Sequence, residues 1–427
     1  MTAQTATAPH DGHSTAYMVK VIAAASIGNA LEWFDLLIYG YFAVTLSKLF
    51  FPAGSDFVAL MLTFGTFAVA YLVRPLGAII VGAYADSRGR KAALMLSILL
   101  MMIGTAIMSF VPTYASIGVA APIAVLLARL LQGFSVGGEF GSSTAFMVEH
   151  SATRKGFLAS WQWSSQGVAA LLASAFGVFL FSTLSEQQLE SWGWRLPFLF
   201  GLLIGPIGLY IRAHLEEAPE FATVQPSETP LRDLVGRYWG RMLLSIGVVI
   251  LSTSSNYVIL YMPTYGIKEL GLPQSVGFTA TLMGAIILTV VSPFVGHWSD
   301  KVGRTMIMIA MCVLFAVSAY PAFVGLVTYP SLLSIVLIVG WMSLLKAGYS
   351  GVLPSLMAEI FPIQTRASGL SLSYNIGVPL FGGAAPLYMT ALIQLTGSNL
   401  VPSFYLIVTA LLSLAVLIMI RAWLHLR

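Results

Sequence analysis

The chain has 427 residues, of which 58% are apolar and 9% charged, with a net charge of +4 and a mean hydropathy of +0.86. Soluble domains carry about 25% charged residues, so most of this surface faces something other than water. The single cysteine, Cys312, excludes an internal disulfide and a cysteine-built metal site, and the six histidines sit in the tails or near segment ends with no metal constellation.

In chain order, the first 17 residues are polar and lack a basic region followed by an apolar core and cleavage site, so no removable signal is expected. A bilayer core takes about 20 apolar residues per helix. Twelve segments meet that need, near 20–46, 57–80, 92–111, 119–148, 157–181, 195–211, 242–262, 277–297, 305–327, 332–358, 368–394 and 401–422. They are too long for barrel strands, and irregular backbone cannot face lipid, so the fold class is an all-α integral membrane bundle. With both termini cytoplasmic, fifteen of the 21 basic residues fall inside and only Lys48, Arg195 and Lys268 outside, which sets the orientation. The other three, Arg74, Arg129 and Lys346, fall within segments. The polar stretch 212–241, of mixed charge, is expected to be a cytoplasmic linker with a short amphipathic helix and no substrate role.

The stretch Gly82-Ala-Tyr-Ala-Asp86-Ser-Arg88-Gly89-Arg90 returns 214 residues later as Gly296-His-Trp-Ser-Asp300-Lys-Val-Gly303-Arg304. Glycine permits a tight turn and close helix approach, while the acid and arginine can pair or cap helix ends. A second echo links Glu149…Arg154 after segment four to Glu359…Arg366 after segment ten. Repeats at half-chain spacing predict a duplicated membrane protein, residues 1–211 and 242–427 joined by 212–241. The repeated stretch resembles the loop signature of the major facilitator superfamily. That resemblance implies twelve transmembrane helices in two six-helix pseudo-symmetric halves. It also implies a cytoplasmic gate motif at Gly82, Asp86, Arg90, Gly296, Asp300 and Arg304, to which Glu149 is assigned by the second repeat.

An ionisable side chain at membrane depth costs roughly 2.5–3.5 kcal/mol on insertion scales, so each one needs a reason. Glu32 and Asp35 lie three apart on one helical face, roughly 18–22 Å from Lys20 at about 1.5 Å per residue. Two acids on one face in low dielectric do not both stay charged cheaply, so one is expected to hold a proton, as a proton carrier must. The alternative is a buried cation partner and a role in assembly. Gly28-Asn29, Glu32-Trp33-Phe34-Asp35 and Tyr39-Gly40 resemble the first-helix signature of the metabolite:proton symporter family. Arg74-Pro75-Leu76-Gly77, Arg129-Leu-Leu-Gln132-Gly133 with Gly137-Gly138-Glu139, and Trp192-Gly-Trp-Arg195 match it too. That family carries citrate, 2-oxoglutarate, shikimate, and betaine or proline.

Arg129, about mid-membrane, either takes part in proton coupling and substrate binding or neutralises an acid of segment one. Gly133, Gly137 and Gly141 predict a close helix contact. Glu139 reads as a gate residue. Lys346 stands in an apolar run where an anionic substrate would supply its counter-charge; the alternative is an acid of the other half or an aqueous cavity wall. Arg74 is either gate, packing or substrate contact. Neutral polar residues complete a candidate cavity: Tyr39, Gln162 and Gln166 (with Trp161 and Ser165), Asn256 and Tyr261 (with Tyr257 and Thr264), and Tyr374 with Asn375. Each is either helix–helix glue or ligand contact.

Three intramembrane cations favour an anion over a zwitterion, and Ser160-Trp161-Gln162 and Tyr261-Met-Pro-Thr-Tyr265-Gly266 are similar to the citrate and tricarballylate branch. The expected function is a proton-coupled symporter of a di- or tricarboxylate, citrate-like first, in a bacterial inner membrane. An osmolyte carrier is the rival, which the short tail after Trp423 disfavours; a transport-dead receptor comes last. No nucleophile–base pair or cofactor fingerprint suggests an enzyme. No cofactor beyond the coupling proton, no nucleic acid and a lipid-embedded monomer are expected.

Overall fold

A computed structural model describes residues 15–88, 90–137, 139–149, 153–213, 236–362 and 365–426. Among them are twelve rods of helix and no strand. They are α1 (Thr15–Tyr41 and Ala43–Phe50), α2 (Asp56–Leu72 and Arg74–Arg88), α3 (Arg90–Phe110), α4 (Ala120–Val136 and Glu139–Glu149), α5 (Lys155–Thr183) and α6 (Arg195–Ala213). The second set is α7 (Trp239–Lys268), α8 (Gln274–Val302), α9 (Arg304–Thr328), α10 (Leu332–Ser350 and Leu353–Ile360), α11 (Arg366–Val378 and Ala385–Thr396, joined by a π-helical turn) and α12 (Val401–Trp423). By length and composition, eight spans among the described residues can cross a bilayer, and the shorter apolar helices Met95–Phe110 and Ala120–Val136 accompany them. Most of the linker, residues 214–235, lies outside the described residues.

The sequence segments need correcting at several ends and interiors. Apolar run length marks only the part of a helix that meets lipid, so α7 and α8 extend beyond 242–262 and 277–297 at both ends. Segments two and ten are each two helical pieces rather than one, as is α1, where Phe42 interrupts the run. In α11 the turn Pro379–Gly383 widens the helix, because a proline has no N–H to give to the preceding turn. That turn carries Gly383 against the ring of Tyr71 in α2.

Large apolar side chains such as Phe110, Leu203, Phe294, Val317 and Trp423 stay exposed on the outside of the bundle, as lipid-facing residues do. Centrally, α7 is almost wholly buried. As the glycine spacing predicts, Gly133 and Gly137 of α4 lie against the backbone of α2, where any side chain would strike the carbonyls of Ala70 and Arg74. The longest seam runs between α5 and α8, with small residues along its middle and Phe278 stacked on Phe181 near one end. Ser164 Oγ donates to Thr289 O (2.7 Å) and Ser174 Oγ to Thr281 Oγ1 (3.0 Å). A Cβ on Gly167 would lie 2.4 Å from Thr289 Oγ1 and 2.7 Å from its backbone nitrogen. Gly167→Ala is therefore expected to lower the melting temperature, with about 1–3 kcal/mol of overpacking, read by thermal denaturation of the purified protein. An unchanged melting point would mean that the seam is looser than drawn.

The two sets of helices meet at both ends. At the loop-motif end, Asp300 of α8 accepts from the backbone N–H groups of Gly156 (2.8 Å) and Phe157 (3.1 Å). A carboxylate thus caps the N-terminus of α5 from the other set, where the helix dipole favours it. Arg304 holds that carboxylate (3.1 Å) and also binds Glu359. At the opposite end Lys268 pairs with Asp56 (2.8 Å), and further into the bundle Phe64 and Tyr71 of α2 lie against Tyr261 and Tyr257 of α7. Nearby, the Lys48 ammonium beside Glu186 (2.6 Å) holds that carboxyl below its usual range, an exposed pair worth little stability.

Candidate functional site

Midway along the bundle, α1, α5, α7, α8 and α10 enclose a small cavity between the two sets of helices. On α1 it is lined by Trp33, Leu37 and Tyr41, whose four-residue spacing puts them on one face. Gln166 and Ala170 come from α5, Asn256 and Ile259 from α7, and Ser343 and Lys346 from α10. Lys346 is 3% exposed. Its Nζ donates to Asn256 Oδ1 (2.5 Å) and lies 5.3 Å from the centre of the Trp163 ring. No described carboxylate comes within ion-pair distance of it. Of the readings open for Lys346, an acid partner is therefore absent among the described residues, and a cavity wall is what the structure shows.

Asp35 and Arg129 form a separate, fully buried cluster beside the cavity. Arg129 Nη1 lies 3.5 Å from Asp35 Oδ2 and donates to Gln132 Oε1 (2.6 Å). Thr105 Oγ1 donates to Asp35 Oδ1 (3.0 Å) and accepts from Gln132 Nε2 (3.2 Å). The guanidinium also stacks 4.4 Å from the centre of the Tyr39 ring, while the Tyr39 hydroxyl donates to Thr63 O. Arg129 thus neutralises an acid of α1, and neither it nor Tyr39 lines the cavity. Arg129 Nε and Nη2 still lack hydrogen-bond acceptors, so the arginine is under-satisfied.

Glu32 is buried on the same helix, and its field reaches Tyr71 and Tyr374. On the face the two acids share by spacing, Asp35 turns toward α3 and α4, where Thr105 and Arg129 hold it. Arg74 is 1% exposed, packs on the Tyr71 ring at 4.1 Å and near Trp33 at 6.0 Å, and leaves Nε and Nη2 without hydrogen bonds.

The neutral candidates separate. Gln162 Nε2 donates to Asn29 Oδ1 (3.0 Å), and Asn29 Nδ2 donates to Ser165 Oγ (2.7 Å), so Gln162 is glue between α1 and α5. Asn375 donates to Gly137 O, and Tyr374 stacks on Phe140 at 3.7 Å, which ties α11 to α4. The Tyr261 hydroxyl meets Thr390 Oγ1 (3.1 Å) near Phe64. Only Gln166, Asn256 and Lys346 of the expected substrate set line the cavity. Sequence reasoning missed Trp33, Tyr41 and Ser343 there, Trp163 beside Lys346, and Thr105 and Gln132 at Asp35; the four-residue spacing from Trp33 to Tyr41 was the available signal. Of the expected gate set, Gly296, Asp300 and Arg304 meet at the contact with α5. The side chains at Gly82, Asp86, Arg90, Glu139 and Glu149 lie outside the described residues.

The family model described as "Sugar (and other) transporter" matches twice, over residues 21–229 and 225–423. The chain belongs to this transporter family of the major facilitator superfamily. A citrate-proton symporter of Klebsiella pneumoniae is 37% identical over 401 residues, covering 93% of this chain and 90% of that one. A glycine betaine/proline/ectoine/pipecolic acid transporter of Dickeya dadantii is 35% identical over 411 residues, covering 92% and 81%. Among solved structures, the proton:xylose symporter XylE superposes with a TM-score of 0.79 at 17% identity, covering 96% of both chains. The fold is thus the twelve-helix, two-domain major facilitator fold, and the protein is a membrane-spanning transporter rather than an enzyme.

Proposed function

We propose that this transporter is a proton-coupled symporter of a di- or tricarboxylate, citrate-like first, with the proton as its only cofactor. The observation that carries the reading is Lys346, buried in the wall of the central cavity with no described acid paired to it. A lone ammonium in low dielectric is expensive, and a carboxylate seated in the cavity would offset that cost. The Asp35–Arg129 pair is the proposed proton site, with Glu32 as its neighbour. Similarity to the Klebsiella citrate-proton symporter supports the substrate class, and similarity to the Dickeya transporter keeps a zwitterion as the second reading. Trp33, Tyr41 and Trp163 around the cavity favour that second reading, since aromatic faces attract quaternary ammonium groups.

In this proposal the halves 1–211 and 242–427 rock about the cavity, with Asp300–Gly156 and Lys268–Asp56 breaking in alternation. The same proposal takes the protein to be a monomer in a bacterial inner membrane with both termini cytoplasmic. The test is labelled citrate uptake into proteoliposomes, with and without an inward proton gradient. Gradient-driven uptake competed by tricarballylate is the expected result. Vesicles that ignore citrate and accumulate betaine would keep the fold and overturn the substrate.

A further inference from the structure

Gln166 is 2% exposed and lines the cavity, and neither its Nε2 nor its Oε1 meets a partner in good hydrogen-bonding geometry, with the Tyr374 hydroxyl its nearest polar neighbour across the helices. Each buried polar atom left unmade costs about 1–3 kcal/mol. The amides around it are satisfied: Gln162 is tied to Asn29, and Asn256 accepts from Lys346. Gln166 therefore holds one donor and one acceptor, side by side, ready for a ligand.

Charge supplies a second, independent constraint. Among the described residues Lys346 is the only charged side chain in the lining, and Arg129 is committed to Asp35. A fully ionised dicarboxylate would bring one negative charge more than the lining can match, and a tricarboxylate two. In low dielectric such a charge takes up a proton rather than stay unpaired. A protonated carboxyl presents O–H and C=O side by side, the complement of a primary amide. An ionised carboxylate presents acceptors alone and would face Gln166 Oε1 lone pair to lone pair.

We infer that Gln166 reads a protonated carboxyl group of the substrate, amide and acid closing a pair of hydrogen bonds while a second, ionised carboxyl faces Lys346. The inference rests on the carboxylate reading given above. The titratable groups facing this position are Lys346 of α10, Tyr41 of α1 and Tyr374 of α11, with Glu32 of α1 acting on Tyr374. From α7 and α8 come Asn256 and Thr281, which do not titrate.

The test is equilibrium binding of tricarballylate and of its diamide to the purified full chain, by tryptophan fluorescence. The diamide keeps one carboxylate for Lys346, cannot ionise at the replaced groups, and keeps a donor and an acceptor there. Between about pH 5.5 and about pH 8 the wild type is expected to lose at least about tenfold in affinity for tricarballylate and to hold the diamide within about twofold. Titration of groups on the protein acts on both ligands, so the ratio of the two affinities reports the ligand's own proton. Gln166→Leu is expected to weaken the diamide at both pH values, and tricarballylate at the lower one, by about tenfold while binding persists. Tricarballylate binding as tightly as the diamide at the higher pH would overturn the inference and leave the carboxylate reading standing. If the wild type binds neither ligand at any pH but binds betaine, both fall together. The wild-type comparison decides even where the leucine variant misfolds.

Discussion

Asp35→Asn is expected to abolish concentrative uptake while exchange of internal for external substrate continues. The carboxylate is buried between Thr105 and Arg129, and asparagine keeps its shape and one acceptor oxygen, enough for one of their two hydrogen bonds, while losing the ability to bind and release a proton. Each proton moving down about 100 mV releases about 2.3 kcal/mol, enough for about fiftyfold accumulation. The variant should therefore reach an inside-to-outside ratio of about one where the wild type reaches tens. Exchange requires only rocking of the loaded carrier, so counterflow separates a coupling defect from a folding defect. Gradient-driven accumulation that survives in Asp35→Asn would move the coupling role elsewhere, with Glu32 next to be tried.

Lys346→Gln is expected to produce the second large effect, and with an unusual pair of signs. Removing one partner of a buried charge pair costs about 2–5 kcal/mol in binding, so the KM for citrate should rise at least about thirtyfold. Stability should not fall with it. The ammonium has no described acid partner in the protein, and glutamine keeps a donor for Asn256. Deleting an uncompensated buried charge relieves a desolvation cost rather than breaking an ion pair. The purified variant should melt no lower than the wild type, while citrate ceases to raise its melting temperature. A lower melting point with an unchanged KM would return Lys346 to a purely structural role.

Both residues were legible in the sequence because burial of a charge is expensive wherever it happens. A lysine or aspartate inside an apolar run announces a partner even before the partner is known. Neutral polar side chains gave no such signal. Thr63 and Ser109 satisfy their hydroxyls on their own helix, at Ala59 O and Thr105 O, whereas Thr105 turns outward to Asp35. Composition and spacing are the same for both habits, so Thr105 could not be singled out. Gln162 and Gln166 show the complementary limit. Four-residue spacing put them on one side of α5, but that side meets α1 along one edge and the cavity along the other, and only packing decides which amide faces which. The twelve-helix bundle was legible from run length, and the break at Phe42 was not, since no proline or charge marks it; Arg74-Pro75 and Pro354 stand beside the breaks at Val73 and Gly351, signals that run length passes over.

The seam between α5 and α8 carries a mechanical consequence. Bulky side chains that interlock must change rotamer before two helices can shift, and that repacking makes most interfaces bistable. Here glycine, serine and threonine face one another along much of the contact. Such a surface works as a plain bearing: the helices can turn and slide with few teeth to disengage. Resistance to motion then concentrates at the pins, Asp300 on the amides of α5 at one end and Lys268 on Asp56 at the other. Rocking of the halves would have to release those polar contacts at the rims, where water can replace the lost hydrogen bonds.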